Sequence, residues 1–348
     1  MVTMNKVKFS VGYPCAAPQS FFNSVAPYLD RIGELYFAWD GFATGRATFE
    51  NDPRYDRPKL ESELCRFREQ GIRLNVLLNG NCFGGEAISR QFAERVCTVV
   101  GDLHERFGID AVTTASPFVA HAVKSAFPQL DVRASVNMWV DGVAGMAQCA
   151  DLFDSFYVKR DYHYCPDELR AEHDWCRENG KRLYLLANSG CIPNCAYHIF
   201  HDNFVSHSAE VAKSQKDATF EPYACRRMMA KRDNRHLILA GNLVRPEDVH
   251  HYEDLVDGIK LATRIHPFPA IVIGAYARGR WPGDVSALTE PGFGDLLAPN
   301  ILDNTAIPAT YWEQKTTCAR AKAHGSTAHC RECGYCDALY HRILTPME

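Results

Sequence analysis

Eight short runs rich in β-branched and aromatic residues alternate with longer amphipathic stretches, and this alternation limits the fold more than any other feature of the chain. The runs are VKFSVGY (7–13), ELYFAW (34–39), RLNVLLN (73–79), AVTTAS (111–116), VRASVNM (132–138), SFYVKR (155–160), RLYLLAN (182–188) and GIKLAT (258–263). Most are apolar on both faces, as strands covered by helices are. Between them lie helical stretches such as QSFFNSVAPYLDRI, KLESELCRFREQG, AISRQFAERVCTVVGDLHERFG and PDELRAEHDWCRENG, three of which stop at a glycine after a charged last turn. Eight successive β-then-α units predict an α/β, (β/α)8 TIM-barrel-like fold, whose catalytic face carries the loops that follow the strands. A doubly wound open sheet is the alternative. The turn after the first strand, YPCAAPQ, lacks the G-x-G-x-x-G that such a sheet uses for its usual ligand.

The rhythm breaks twice. Residues 189–257 separate the seventh and eighth strands by far more than a βα connection needs, so they are expected to form an insertion on the catalytic face. Within it, LILAGNLVRPEDVHHYEDLV reads as a short extra strand, a turn and a helix. From residue 282 the chain turns rich in glycine and proline and then in cysteine. The expected division is a catalytic barrel over 1–281 and a C-terminal extension over 282–348.

Composition narrows the ligand. The 348 residues are 46% hydrophobic and 23% charged with a formal net charge of −4, and no long run of Lys and Arg makes a footprint for nucleic acid. A small metabolite or a partner protein is expected instead. No secretory or membrane-spanning segment is evident, and 14 cysteines without a signal peptide point to a reducing cytoplasm, where clustered thiols bind metal more often than they pair.

Two cysteine sets stand out. In the tail, Cys318 is followed after eleven intervening residues by Cys330, Cys333 and Cys336, a C-x2-C-x2-C run. Three thiolates at that spacing converge on one centre and a fourth completes it; a [4Fe–4S] cluster is favoured, with zinc as the alternative. The insertion offers Cys191, Cys195 and Cys225, with His198, Cys15 or Cys82 for a fourth ligand, or an open iron. The competing reading is that Cys191 and Cys195 are ordinary buried thiols. Cys65, Cys97, Cys149, Cys165 and Cys176 fall within helical patterns and read as core or surface thiols. His198, His201 and His207 suit acid–base work at a cluster mouth, or else simply pack their loop. GGE at 84–86 reads as a tight turn opening a helix, not as part of a radical S-adenosylmethionine site. No Ser/His/Asp or Cys/His set is evident.

Taken in order, these segments resemble the peptidase family U32, the collagenase-like proteins whose better understood members are iron–sulfur hydroxylases. LLANSGC resembles the family's seventh strand with its cluster cysteine, and ACRR its later Cys-Arg pair. DGIKLATR resembles its D-s-f-K-i-E-G-R strand, RASVNMWV its fifth strand, VKRD the end of its sixth, and DGFATGRATF its Arg-bearing loop after strand two. The resemblance implies a [4Fe–4S] cluster at the barrel mouth and O2-independent hydroxylation, with the oxygen atom taken from prephenate. It implies catalytic roles for Lys260 and Arg264, with His198 and His201 beside them. Substrate would be held by Arg46, Asn137, Arg160 and Arg226, which suits a carboxylated metabolite because Arg grips carboxylates in bidentate fashion. The chain departs from the family in the Glu of the eighth-strand motif, replaced by Ala262-Thr263, in having fewer insertion cysteines, and in the four-cysteine tail. The tail adds the expectation of a second cluster and an electron-transfer or hetero-oligomeric partner. The alternatives carried forward are a cluster-dependent lyase or sulfur-transfer enzyme, and a non-catalytic electron carrier or scaffold. Peptidase activity is not expected.

Overall fold

The computed structural model describes residues 7–14, 19–46, 55–215, 217, 219–323 and 332–347, with the side chains of 319–323 set aside. Eight parallel strands pair in chain order and close: β1 Phe9–Gly12, β2 Ile32–Ala38, β3 Arg73–Leu78, β4 Ala111–Thr114, β5 Asp131–Ala134, β6 Ser155–Tyr157, β7 Arg182–Leu186 and β8 Gly258–Leu261, which returns to β1. Around them run α1 Phe21–Val25, α2 Arg57–Glu69, α3 Arg90–Phe107, α4 Pro117–Ala126, α5 Gly142–Gln148, α6 Pro166–Glu178 and α11 Pro269–Arg278. The insertion holds α7 His198–Ser206, α8 Ser208–Lys213, α9 Ala224–Met229 and α10 Leu237–Ala240. The tail adds α12 Gly294–Leu297, β9 Asn300–Leu302, α13 Tyr311–Ala323, α14 Tyr335–Ile343 and β10 Leu344–Pro346. All eight expected strands are present, and the barrel is the (β/α)8 type. Among the described residues no helix is long and apolar enough to cross a membrane.

Local chemistry sets the elements. Asp56, Ser89 and Ser116 each accept a hydrogen bond from a first-turn amide of the helix they precede, and Gly108 ends α3 at φ 65°, a conformation that suits glycine. Phe92, Val96, Val100, Leu103 and Phe107 recur along α3 at helical spacing and are all buried against the barrel.

The barrel interior corrects the expectation of strands apolar on both faces. Phe9, Val11, Leu35, Phe37, Leu74, Val76, Val132 and Ile259 alternate along the strands within the main hydrophobic core. Their alternates carry charge. Arg133 of β5 reaches across to Glu34 of β2 through two bonds of 2.8 and 2.9 Å, and binds Asp131 at 2.8 Å. Ser10 and Asn75 also donate to Glu34, at 2.7 and 3.0 Å, and Thr113 donates to Asn75 at 3.0 Å. Side chains from five strands can meet this way only inside the barrel. Burial pushes the Glu34 carboxyl up, but Arg133 together with the Asn75 and Ser10 hydrogen bonds more than offsets it and holds the group below its usual range.

A different buried acid has no such help. Glu172 of α6 is fully buried, and neither carboxyl oxygen finds a hydrogen-bond partner among the described residues. Burial, reinforced by Glu168 and Asp141, pushes it up to about 8. Its folded pKa thus exceeds its unfolded one, so native protein holds an extra proton between the two, and stability falls as pH rises through that window. Glu172→Gln is therefore expected to match wild type at acidic pH and to exceed it by roughly 2–4 kcal/mol above pH 8. Thermal denaturation of both proteins from pH 5 to 9 checks this; parallel curves would contradict it.

The insertion and the tail share a second core. Met229, Ile238 and Leu239 pack with Val285, Phe293, Leu302, Tyr311, Tyr340 and Ile343. The extra strand expected near residue 237 is instead the helical turn α10, because its buried face must meet α14 of the tail and not a sheet edge. Tyr311 and Lys315 both donate to the Leu239 carbonyl, each at 2.9 Å.

Candidate active site at the barrel mouth

A polar residue ends or follows nearly every strand at the mouth. After β2, Gly45 donates to Asn79 Oδ1 at 3.2 Å and passes so close to Asn137 that a Cβ would sit 2.0 Å from its Nδ2. Only glycine fits that approach, and it delivers the neighbouring Arg46 into the opening. After β5, Asn137 accepts from Arg160 Nη2 at 2.7 Å. The Arg160 guanidinium lies 5.1 Å from the Trp139 ring centroid, and its Nε finds no hydrogen-bond partner among the described residues. Lys260 on β8 sits with its ammonium 4.1 Å from the Tyr36 ring centroid.

These groups surround a cavity of about 50 Å³ lined by Tyr36, Arg46, Asn79, Asn137, Arg160, Lys260, Arg264 and Glu290, among others. Arg46, Arg160, Lys260 and Arg264 bring four cationic side chains to it, against the single carboxylate of Glu290. Arg46 Nε stands 3.5 Å from Glu290 Oε1. Burial raises the Glu290 carboxyl despite Arg46 and Arg264, while burial and then Arg264 lower Lys260 to about 7. Lys260 can therefore exchange a proton near neutral pH. The sequence pointed to the four cations and Asn137, but not to Glu290. That residue arrives from the tail, where its amide donates to the Asn188 carbonyl and its carbonyl accepts from Gly190, both at 2.9 Å.

The remaining expected residues lie elsewhere. Arg226 does not line the cavity; it binds Asp295 at 2.8 Å and the Gly292 carbonyl at 3.1 Å, tying α9 to the tail. His198 lies tilted against Trp139, ring centroids 4.3 Å apart, with Nδ1 against the Cys195 carbonyl at 3.0 Å. His201 meets Tyr223 edge to face at 4.8 Å, and burial, then Arg46, lowers it to about 4, so it is neutral at pH 7.

Beside the cavity the insertion cysteines come together. Burial chiefly, then the neighbouring Cys191 thiol and more weakly Cys195, push Cys225 up to about 11. Burial and Cys191 likewise raise Cys195, and Arg46 feels Cys191 as well as Glu290. Mutual repulsion of this kind is what a bound cation relieves when it deprotonates its thiols. Among the described residues no three such side chains close around a single ion. A polynuclear cluster, in which each iron takes its own thiolate, has no need of that spacing. Cys82 does not join them: its thiol is engaged by His207 and the Gly84 amide. Cys15 lies outside the described residues.

A larger cavity of about 530 Å³ opens where the insertion meets the tail, lined by Cys318, Cys333 and Cys336. Cys330 lies outside the described residues. Cys165, read from sequence as a core or surface thiol, lies on the same wall at the start of α6, where burial pushes it up to about 11. Nothing in its local sequence distinguishes it, because the pocket is made by chain segments far away.

No family model matches the chain. It is 27% identical over 328 residues to an uncharacterized protease of Methanocaldococcus jannaschii, covering 89% of this chain and 88% of that one. In fold it is similar to the U32 peptidase Mk0906, with a TM-score of 0.54 and 17% identity, over 75% of this chain and 94% of that chain.

Proposed function

The sequence resemblance and the two comparisons together support assignment of this chain to the peptidase U32 family, and from that premise we propose that it is an iron–sulfur enzyme of the O2-independent hydroxylase type. Its substrate is a small carboxylated metabolite, and a prephenate-type acid is the oxygen donor. The observation that carries this reading is a small cavity with four cationic side chains, one of which, Arg46, lies within electrostatic reach of Cys191, itself within such reach of Cys195 and Cys225.

Cys191, Cys195 and Cys225 would hold a [4Fe–4S] cluster at the mouth; Cys318, Cys333 and Cys336, with Cys330 or Cys165, would hold a second in the tail pocket, where zinc is the alternative. Such a cluster supplies electrons and, at an iron without a protein thiolate, a Lewis-acid position. The chain's own residues do the rest. Arg46, Arg160 and Arg264 hold carboxylates and set their orientation, with Asn137 fixing Arg160. Lys260 holds and releases a proton near neutral pH, and Glu290, raised by burial, stands against the Arg46 guanidinium. The names of the relatives suggest peptidase activity, but among the described residues the cavity is lined by no Ser, Cys or His.

The test is anaerobic iron and sulfide content with EPR on the full chain. Wild type is expected to hold about eight irons, falling to about four in Cys191→Ala and in Cys333→Ala. Zinc without sulfide would overturn the proposal. Labelled oxygen in the product that comes from water, with no donor acid consumed, would instead favour a lyase.

A further inference from the structure

A second group of cations lies at the floor of the barrel, at the end away from the mouth. Arg73, Asp131 and Arg182 are the first residues of β3, β5 and β7. Each precedes by two positions a side chain of the buried interior: Asn75 and Arg133, which both donate to Glu34, and Tyr184, whose ring centroid lies 3.7 Å from the Arg133 guanidinium. Residues two apart on a strand share a face, so the three side chains form the lowest inward layer. In that layer two cations face one carboxylate.

The carboxylate is already committed. Asp131 Oδ2 accepts from Arg133 Nη2 at 2.8 Å, and Oδ1 accepts from Ser155 Oγ. Arg182 Nη2 stands 3.0 Å from Oδ1, while Arg73 Nη2 is 3.7 Å from Oδ2, beyond hydrogen-bond reach. Arg68 of α2 approaches from the side and donates to Asp110 Oδ2 at 2.8 Å, an oxygen that also accepts from the Leu74 amide at 2.8 Å. Arg68, Arg73 and Arg182 line one cavity of about 260 Å³ together with Asp110, Asp131 and His104. With Arg133 and Glu34 included, four guanidinium groups stand against three carboxylates, which leaves a positive excess. The three arginine side chains on the cavity are 34–44% exposed, so an ion reaches them from solvent.

We propose that this floor binds a phosphate group, on the free ion or on a small metabolite that carries one. The three guanidinium groups come from β3, β7 and α2 and so approach from different sides. A tetrahedral oxyanion has oxygens enough to face all three, each planar fork meeting two of them. A carboxylate, with two oxygens in one plane, meets fewer. Asp131 keeps Arg133 and Asp110 keeps the Leu74 amide while the ligand takes up the positive excess. The floor and mouth cavities share no lining residue, so this site is separate from the catalytic one and does not rest on the iron–sulfur reading.

The experiment titrates inorganic phosphate, and separately glycerol 3-phosphate, into the full chain by anaerobic calorimetry in chloride buffer at constant ionic strength. Saturable one-site binding is expected with Kd below about 1 mM. Arg73→Gln should weaken it at least roughly tenfold while leaving the denaturation midpoint in chloride unchanged, because Arg73 lies beyond hydrogen-bond reach of Asp131. Arg182→Lys, which keeps the charge and loses the fork, should weaken it as well. Lys260→Met, at the mouth, should leave phosphate binding as it is in wild type. Tighter binding of glycerol 3-phosphate than of phosphate assigns the site to a phosphorylated metabolite, and the reverse assigns it to the free ion; either bears the site out. No saturation by about 10 mM phosphate overturns the proposal. So does binding that survives Arg73→Gln and is lost in Lys260→Met, which would place the anion at the mouth.

Discussion

Arg133→Ala is expected to destabilise the barrel by about 3–5 kcal/mol, enough to abolish much of the soluble yield. The guanidinium is fully buried and satisfies Glu34 and Asp131 together, while its face lies 3.7 Å from the Tyr184 ring centroid. Removing it leaves the Glu34 carboxylate buried without its cation, whereas Asp131 keeps Arg182 at 3.0 Å, and the uncompensated charge on Glu34 accounts for most of the loss. The double variant Arg133→Met, Glu34→Gln removes both charges of that pair, leaves Asp131 with Arg182, and should recover most of the stability. Denaturant midpoints followed by far-UV circular dichroism read both effects; a single variant within 1 kcal/mol of wild type would refute the account. The pH dependence has a definite sign. Glu34 has its folded pKa below the ordinary 4.5, so its contribution is complete above that value and is lost as pH falls through the folded one.

Lys260→Met should act in the opposite direction on stability while impairing the site. Lys260 is buried and lowered from 10.5 to about 7. Below pH 7 the native protein carries the full cost of a buried cation, and between 7 and 10.5 it binds fewer protons than the unfolded chain, so stability rises with pH across that interval. The variant is expected to gain roughly 2–4 kcal/mol at pH 6 and to converge on wild type toward pH 10. At the same time the cavity loses a cation. Binding of malonate, used as a plain carboxylate probe, should weaken in wild type as pH rises through 7, and should be weaker and flat with pH in Lys260→Met. Calorimetric titration at pH 6, 7 and 8 decides it. A flat wild-type profile, or a variant no more stable at pH 6, would remove Lys260 from its assigned place.

Much of this molecule was legible because barrel strands and covering helices have different periods, and the loops after the strands have a known side. That reasoning placed eight strands and brought Arg46, Asn137, Arg160, Lys260 and Arg264 to one cavity. It did not anticipate the charged interior, because Ser10, Glu34, Asn75 and Arg133 are single polar letters in otherwise apolar runs. Their meaning depends on register across the barrel, which no local pattern encodes. Nor could it find Glu290 or Cys165, since each takes its place from segments remote in sequence. Arg226 shows the converse: a residue beside a cluster-type cysteine invites a role in binding, while the fold commits it to Asp295.

The return of the tail to the end of β7 also has a temporal side. Asn188 is tied to the Leu288 carbonyl, 100 positions later in the chain. At roughly 5–20 residues per second, a ribosome needs on the order of 5–20 s to cover that distance. During that interval Cys191 and Cys195, and later Cys225, stand on a nascent chain whose tail has not yet been made. Delivery of anything to these thiols therefore has two regimes: an open one during synthesis, and a guarded one after the last segment docks.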